Sequence, residues 1–471
     1  MSVLESVATL VPSWISRQRW AIHADADAGT DTGTAAATTA SMTVDHAEVL
    51  VDGGGTGPST LWYLIRPAAG SGSAAGSGDG PLYQVLVAVR PAEDSIDLGE
   101  RDILGVCDTD QGKLFAYDAL VDPESARSFA AYIGLEGAEE MTVRPVGAEQ
   151  SNSSVVLGQK AHGDRIILKL YRRLRAGPNP DVEVPAGLDR VGFNHLAAPV
   201  AAWRRGDYDL AVAQEYLAGG VEGWAMALAS LRDLYAGYEA DPARAGGDFS
   251  AEARRIGDMT GRLHVALGQA FGLHPAAVDS WVAVTAAQAD ALRLASSERR
   301  AVDAVLGRVR RLAEAGGIGP SIRVHGDYHL GQVMRTDHGW FVLDFEGEPA
   351  RTLEERRRPW PALKDVAGML RSFAYAAGVG LSERVPSERE SLVGRARSWE
   401  DDNRAAFLEG YGGVEGAGAL LPEGDPGGRA TAELTTYFEL DKALYELAYE
   451  RAHRPDWEWI PRSAIEQLLK G

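Results

Sequence analysis

The 471-residue chain changes the spacing of its apolar positions about half-way along its length. Up to about residue 217, short apolar runs are separated by Gly, Ser, Asp and Pro, which predicts strands over residues 61–65, 82–89, 141–146, 154–157, 165–171 and 210–215. A helix is expected near residues 182–193, and residues 4–20 read as a short helix with Pro12 near its middle turn. The tract 24–41, rich in Ala, Gly, Asp and Thr, and the tract 68–80, rich in Gly, Ser and Ala, predict mobile connections. Beyond Gly220 apolar residues recur at helical spacing, with a loop over residues 412–428 and a long helix over residues 433–452. Two apolar runs, 321–324 and 340–343, interrupt that half as expected strands, and each stops just before an acidic motif. The fold class is therefore α+β: a small mixed domain over residues 1–125, a strand-rich domain over 126–217 and a helical domain over 218–471.

Charge narrows the partners. A formal net charge of −20 argues against nucleic acid and anionic membrane surfaces, so a phosphate-bearing ligand needs a local basic cluster, and Arg172, Arg173 and Arg175 offer one. The single cysteine, Cys107, rules out an intramolecular disulfide and reads as a small buried apolar residue of a cytoplasmic protein. No apolar run reaches the length of a membrane-spanning helix. The N-terminus carries Glu5 early, is broken by Pro12 and has no basic leader, unlike a secretory signal. A monomer or homodimer is expected.

The candidate chemistry lies in Val324–Met334, VHGDYHLGQVM, followed by FVLDFEGEP from Phe341. A phosphoryl-transfer site needs a carboxylate to accept the acceptor hydroxyl's proton, and an amide and a second carboxylate to hold Mg²⁺ against the phosphates. Asp327, Gln332 and Asp344 supply these types in that order and spacing. The electrostatic reason is direct: the transferring group spreads negative charge over its oxygens, and a metal held by one carboxylate and one neutral amide keeps positive charge to meet it.

The strand residues Ile166-Ile167-Leu168 lead into Lys169, placed to pair nucleotide phosphates, and Glu183 at the start of the following helix is placed to orient that lysine. Ser151, Asn152, Ser153 and Ser154 lie between two strands where hydroxyl and backbone N–H donors suit phosphate. Gln214, Glu215 and Leu217 link the two halves, where backbone groups suit an adenine contact. A strand-rich lobe before a helical lobe is the bilobal pattern of kinase-like folds.

The segments EQSNSSVVLG, ILKLYRRLRAGPNPDVEV, HGDYHLGQV, DFEGEP, DVAGMLRSF and YELAYERAHRPDWEWIP together resemble the actinobacterial maltokinases and their relatives, the glucosamine kinases. The resemblance covers about residues 149–460, and more thinly the QRW at Gln18–Trp20. It implies a fold similar to aminoglycoside phosphotransferases with an extra N-terminal cap domain, ATP as donor, Asp327 as base, Gln332 and Asp344 as Mg²⁺ ligands and Lys169 as a phosphate contact. Two departures bear on the acceptor. Trp20-Ala21-Ile22-His23 stands where maltokinases continue with an aromatic residue and a Gly-Lys pair, and Ala374 takes the place of an acid before Tyr375. They place glucosamine, phosphorylated at its 6-hydroxyl, ahead of maltose phosphorylated at its 1-hydroxyl.

For the acceptor, Tyr445 and Tyr449, and Glu446 and Glu450, are each four residues apart on one helix and share a face, a combination of rings and carboxylates that suits a sugar. His329, Arg371, Tyr375 and Trp457 are further candidates, with Trp459 extending the surface. A rival from another class is a zinc-dependent hydrolase, in which His325, Asp327 and His329 alternate along an extended strand and point the same way. A non-catalytic kinase-like binding protein is a third reading.

Overall fold

The computed structural model describes residues 1–22, 42–54, 57–67, 81–146, 152–158, 165–237, 248–348, 351–425 and 427–469. The tracts 24–41 and 68–80, expected to be mobile, and Ser151 lie outside the described residues. The chain forms two compact units, Met1–Glu183 with Ala198–Ala218, and Val184–Ala197 with Gly219–Gly471.

The first unit holds two antiparallel sheets. One orders β1 (Met42–Val51), β2 (Ser59–Pro67), β3 (Leu82–Pro91), β5 (Gly112–Asp118) and β4 (Ile103–Thr109), with the short β9 (Arg173–Leu174) also on β3. The other orders β10 (Pro199–Arg205), β11 (Tyr208–Glu215), β8 (Arg165–Tyr171), β7 (Asn152–Gly158) and β6 (Thr142–Pro145). β3 is apolar almost throughout because both its faces are covered. Leu82, Leu86 and Ala88 face a core shared with Leu168, Leu170 and Trp203 of the second sheet, whereas Tyr83, Val85, Val87 and Val89 face Val7, Trp14 and Trp20. Gln84, the polar residue on the first of these faces, accepts from Trp62 Nε1 at 3.1 Å and donates to the carbonyls of Tyr171 and Leu210.

Residues 4–20 are not one helix. Pro12 occupies the first turn of a new helix, where its missing N–H is harmless, and the segment divides into α1 (Val3–Ala8), α2 (Val11–Ile15) and α3 (Arg19–Ile22). Arg172 also departs from the expectation that it faces a ligand. It is fully buried, bonded to Asp118, with its guanidinium 5.8 and 5.7 Å from the rings of Trp14 and Trp20. α4 (Pro123–Tyr132) packs beneath the sheets, capped by Asp122. The chain leaves the unit inside α5 (Pro180–Arg190), whose predicted range ran three residues further.

The second unit is helical: α6 (Gly223–Ala236), α7 (Ser250–Phe271), α8 (Val278–Ala291), α9 (Ser296–Glu314), α10 (Leu353–Arg356), α11 (Leu363–Ser382), α12 (Pro386–Gly412), α13 (Arg429–His453) and α14 (Trp459–Leu468). α11 is buried along nearly its whole length, as its almost continuously apolar sequence dictates, and α6, α12, α13 and α14 pack against it. A small sheet, β12 (Val221–Glu222), β13 (Val333–Thr336) and β14 (Gly339–Val342), lies at its edge. Residues 321–324 form no strand. Ser321 and Ile322 make isolated bridges to His274 and Trp360, because no neighbouring segment runs extended beside them. Among the described residues no helix is long and apolar enough to cross a membrane.

Candidate active site

The loop His325–Gln332 is pinned at every turn. The Asp365 carboxylate, in the first turn of α11, accepts from His325 N at 2.7 Å and Gly326 N at 2.9 Å. His264 Nε2 lies 3.3 Å from the same carboxylate, and its Nδ1 lies 3.0 Å from the Tyr411 hydroxyl. Gly326 turns at φ +88°, a conformation that favours glycine. Gly368 of α11 brings the helix so close that a Cβ there would stand 2.6 Å from the Tyr328 carbonyl. Tyr328 is buried with its hydroxyl 2.8 Å from Thr260 Oγ1, and Leu330 N donates to Ser372 Oγ at 3.0 Å. The loop that carries Asp327 is thus built into the core rather than laid upon it.

His325 ties the two motifs together. Its Nε2–H donates to the Leu343 carbonyl at 2.8 Å, leaving Nδ1 as acceptor for Asp327 N at 3.4 Å. Leu343 N in turn donates to the Gln332 carbonyl at 2.9 Å. Asp344 follows at φ +51°, a strained conformation for a residue with a Cβ, stabilised by these anchors. Its Oδ2 accepts from Gln332 Nε2 at 3.4 Å, so the carboxylate and the amide stand side by side. They make an oxygen-donor pair of the kind a hard divalent cation takes once the amide turns its oxygen inward. The hydrolase geometry is not present: residues 325–329 are not a strand, and His325 is committed to Leu343 rather than aimed alongside His329.

Asp327 meets a partner from far along the chain. Lys442 Nζ, on α13, lies 3.1 Å from Asp327 Oδ1 and 3.6 Å from Glu348 Oε1. Burial alone raises the Asp327 carboxyl, but Lys442 and then His329 outweigh it, and it sits below its ordinary value. Burial would likewise strip the Lys442 proton; Asp327 and Glu348 overcome it and hold the ammonium charged. His329 is pushed down to about 4 by burial, only partly offset by Asp327, so its ring is neutral near pH 7. Its Nδ1 accepts from Gly331 N at 3.0 Å, and its Nε2 stands 3.9 Å from Asp327 Oδ2.

In the first unit Lys169 lies opposite Ser154 in the β8–β7 register, with Asn152 and Ser153 two and one positions before Ser154 along β7. Its Nζ is 2.9 Å from Asp181 Oδ2, in the first turn of α5 two residues before Glu183, and Tyr171 Oη donates to the same oxygen at 3.0 Å. Asp181 is therefore an acid on this lysine that sequence reasoning missed. Ser153 Oγ accepts from Arg172 Nε at 2.8 Å, while Ser154 Oγ is buried without a partner. Gln214 and Glu215 end β11, opposite Ile167 and Ile166, and Leu217 follows half-buried.

The acceptor candidates lie along two helices that run in the same direction. Arg371 Nη2 of α11 bonds Glu446 of α13 at 2.6 Å, and four residues on in both helices the Tyr375 hydroxyl donates to Glu450. Lys442, Glu446 and Glu450 thus occupy successive turns of one face, which sets Glu450 roughly 12 Å along the axis from Lys442. Arg371 is almost fully buried and lines a cavity of about 290 Å³ with Glu400, Arg404 and Glu439. Trp457 takes Arg454 over its ring at 4.5 Å, and Arg454 bonds Glu450 at 2.7 Å. Tyr445 lies under the Lys442 ammonium at 5.1 Å.

A phosphotransferase enzyme family model, that of the aminoglycoside phosphotransferase type, matches residues 142–385, more than half of the chain. The chain belongs to this family. It is 30% identical over 345 residues to a glucosamine kinase of Mycolicibacterium smegmatis, covering 69% of this chain and 79% of that protein. A glucosamine kinase of Streptacidiphilus jiangxiensis is 28% identical over 372 residues, 74% of this chain and 77% of that one. A solved glucosamine kinase in complex with glucosamine, ADP and inorganic phosphate superposes with a TM-score of 0.61 at 20% identity, over 97% of this chain and 99% of that one. The fold is that of the protein-kinase-like phosphotransferases.

Several residues that hold the candidate side chains of the two units escaped sequence reading: Asp181 in the first, and Lys442, Glu348, Asp365, His264 and Arg454 in the second. For Asp365 a signal existed. A buried acid in the first turn of an otherwise apolar helix needs a partner, and backbone N–H groups of a nearby turn are the usual one.

Proposed function

We propose that this phosphotransferase is an ATP-dependent sugar kinase of the cytoplasm that phosphorylates glucosamine at its 6-hydroxyl. The observation that carries the reading is the charged, doubly oriented Asp327 on a loop tied through His325 to the Gln332–Asp344 pair. Asp327 accepts the proton of the acceptor hydroxyl as its oxygen attacks the γ-phosphorus and the bond to the β-phosphate oxygen breaks, releasing ADP. Gln332 and Asp344 are the residues that would hold Mg²⁺, whose charge would neutralise that of the phosphate oxygens. In the nucleotide lobe, read as residues 126–217 beneath a cap of residues 1–125, Lys169 with Asp181 and Glu183 positions the phosphates. Ser151, Asn152, Ser153 and Ser154 donate to them, and Gln214, Glu215 and Leu217 take the adenine.

His329, Arg371, Tyr375, Tyr445, Glu446 and Trp457 form the acceptor wall. Its one carboxylate, Glu446, favours a protonated amine. The Lys442 ammonium beside Asp327 repels such a group, so the reacting hydroxyl must lie away from the amino carbon. The 1- and 3-hydroxyls of glucosamine flank that carbon, whereas the 4- and 6-hydroxyls do not, and of these the 6-hydroxyl is the primary, exocyclic and less hindered one. A coupled ADP-release screen against a sugar panel tests the reading: turnover with glucosamine and none with maltose supports it, and the reverse overturns the acceptor assignment.

A further inference from the structure

Lys442 is the one cation seen to bond Asp327 among the described residues, and it reaches the loop from α13. One Asp327 oxygen, Oδ1, takes the ammonium at 3.1 Å; the other, Oδ2, stands 3.9 Å from the His329 ring. Lys442 is itself held. Glu348 Oε1 lies 3.6 Å away, and the Tyr445 ring lies 5.1 Å beneath. Glu348 has its own cations, with Arg351 Nε 3.1 Å from its other oxygen and Lys364 facing it, so Lys442 is left to serve Asp327. Glu446, one turn further along α13, adds to the field that keeps Lys442 charged.

A carboxylate can act as base only if it is ionised and if one oxygen faces the hydroxyl. We propose that Lys442 is a positioning residue of the transfer reaction: its ammonium, backed by Glu348, fixes Asp327 Oδ1 and leaves Oδ2 to receive the acceptor proton. Resting on the kinase reading, it assigns to a residue 115 positions from Asp327 control over the base's geometry and charge.

The groups facing Asp327 set the sign of the test. Lys442, His329 and His325 favour its charged form, and Glu348 and burial oppose it. Lys442→Met therefore moves the acid limb of the kcat/KM profile to higher pH by about one unit or more, while Lys442→Arg, which keeps the charge, returns it towards the parent. Glu348→Gln removes the opposing charge and moves the limb to lower pH. Both shifts are read with the sugar that the unsubstituted protein turns over, so failure of the glucosamine assignment appears in the parent before any variant is made. A uniform fall in rate with an unmoved limb in Lys442→Met reduces Lys442 to a packing role and overturns the proposal. If that variant does not fold, Lys442→Gln, which keeps a donor without the charge, decides in its place: an upward shift of the limb supports the proposal, and an unmoved limb overturns it.

Discussion

Replacing Asp365 with Ala tests whether the loop is held from beneath. The carboxylate is 1% exposed and accepts two backbone hydrogen bonds, at 2.7 and 2.9 Å, with His264 at 3.3 Å. Asp365→Ala leaves two buried N–H groups unpaired at about 1–3 kcal/mol each, giving about 4 kcal/mol in all. The His264 ring loses its partner as well, at a cost within the same range. Asp365→Asn keeps one acceptor oxygen and should lose about half as much. Denaturant unfolding of the second unit at pH 7, with parent and both variants side by side, measures these differences. Burial raises the Asp365 carboxyl, but His264 outweighs it and the folded value lies below the ordinary 3.8. The stabilisation is thus fully present above pH 3.8 and fades as pH falls through the depressed folded value, so the deficit of Asp365→Ala shrinks there. A deficit under about 1 kcal/mol at pH 7 would refute the anchoring role.

Three further outcomes follow from the geometry. His329, lowered from 6.5 to about 4, binds its proton less readily folded than unfolded, so stability is lost as pH falls between those values; His329→Gln should remove that part of the slope in pH-dependent melting. Lys169→Met should raise the ATP concentration needed for half-maximal rate about tenfold or more while leaving the sugar KM unchanged, as two-substrate kinetics would report. Arg172→Met leaves Asp118 buried without its cation and should destabilise the first unit by about 3–5 kcal/mol, measurable by thermal unfolding.

What was legible in the sequence was what is contiguous. Asp327 and Gln332 share one short loop, Asp344 stands two residues past the strand paired to the one that follows that loop, and Lys169 lies within a predicted strand, so local spacing singled them out as candidates. β8 appears over the predicted residues, and β13 and β14 bracket the second motif as a hairpin. The support of the site was not legible, because it comes from distance. Lys442 and Asp365 sit on helices 115 and about 40 residues beyond the loop, and a lysine on a helix reads as solvated until the fold places carboxylates beside it. Arg172 misled for the same reason. In sequence it lies near the lysine read as a phosphate contact, but it sits at the bend between β8 and β9, where its guanidinium turns inward to Asp118 and the rings of Trp14 and Trp20.

The most direct measurement is the rate of glucosamine-dependent ADP release by Asp327→Asn beside the parent protein, with ADP affinity measured by calorimetry on both. A loss of at least about 100-fold in kcat with ADP affinity retained is the predicted result. A rate near that of the parent would contradict the assignment of Asp327 as the base, and with it the account of the site.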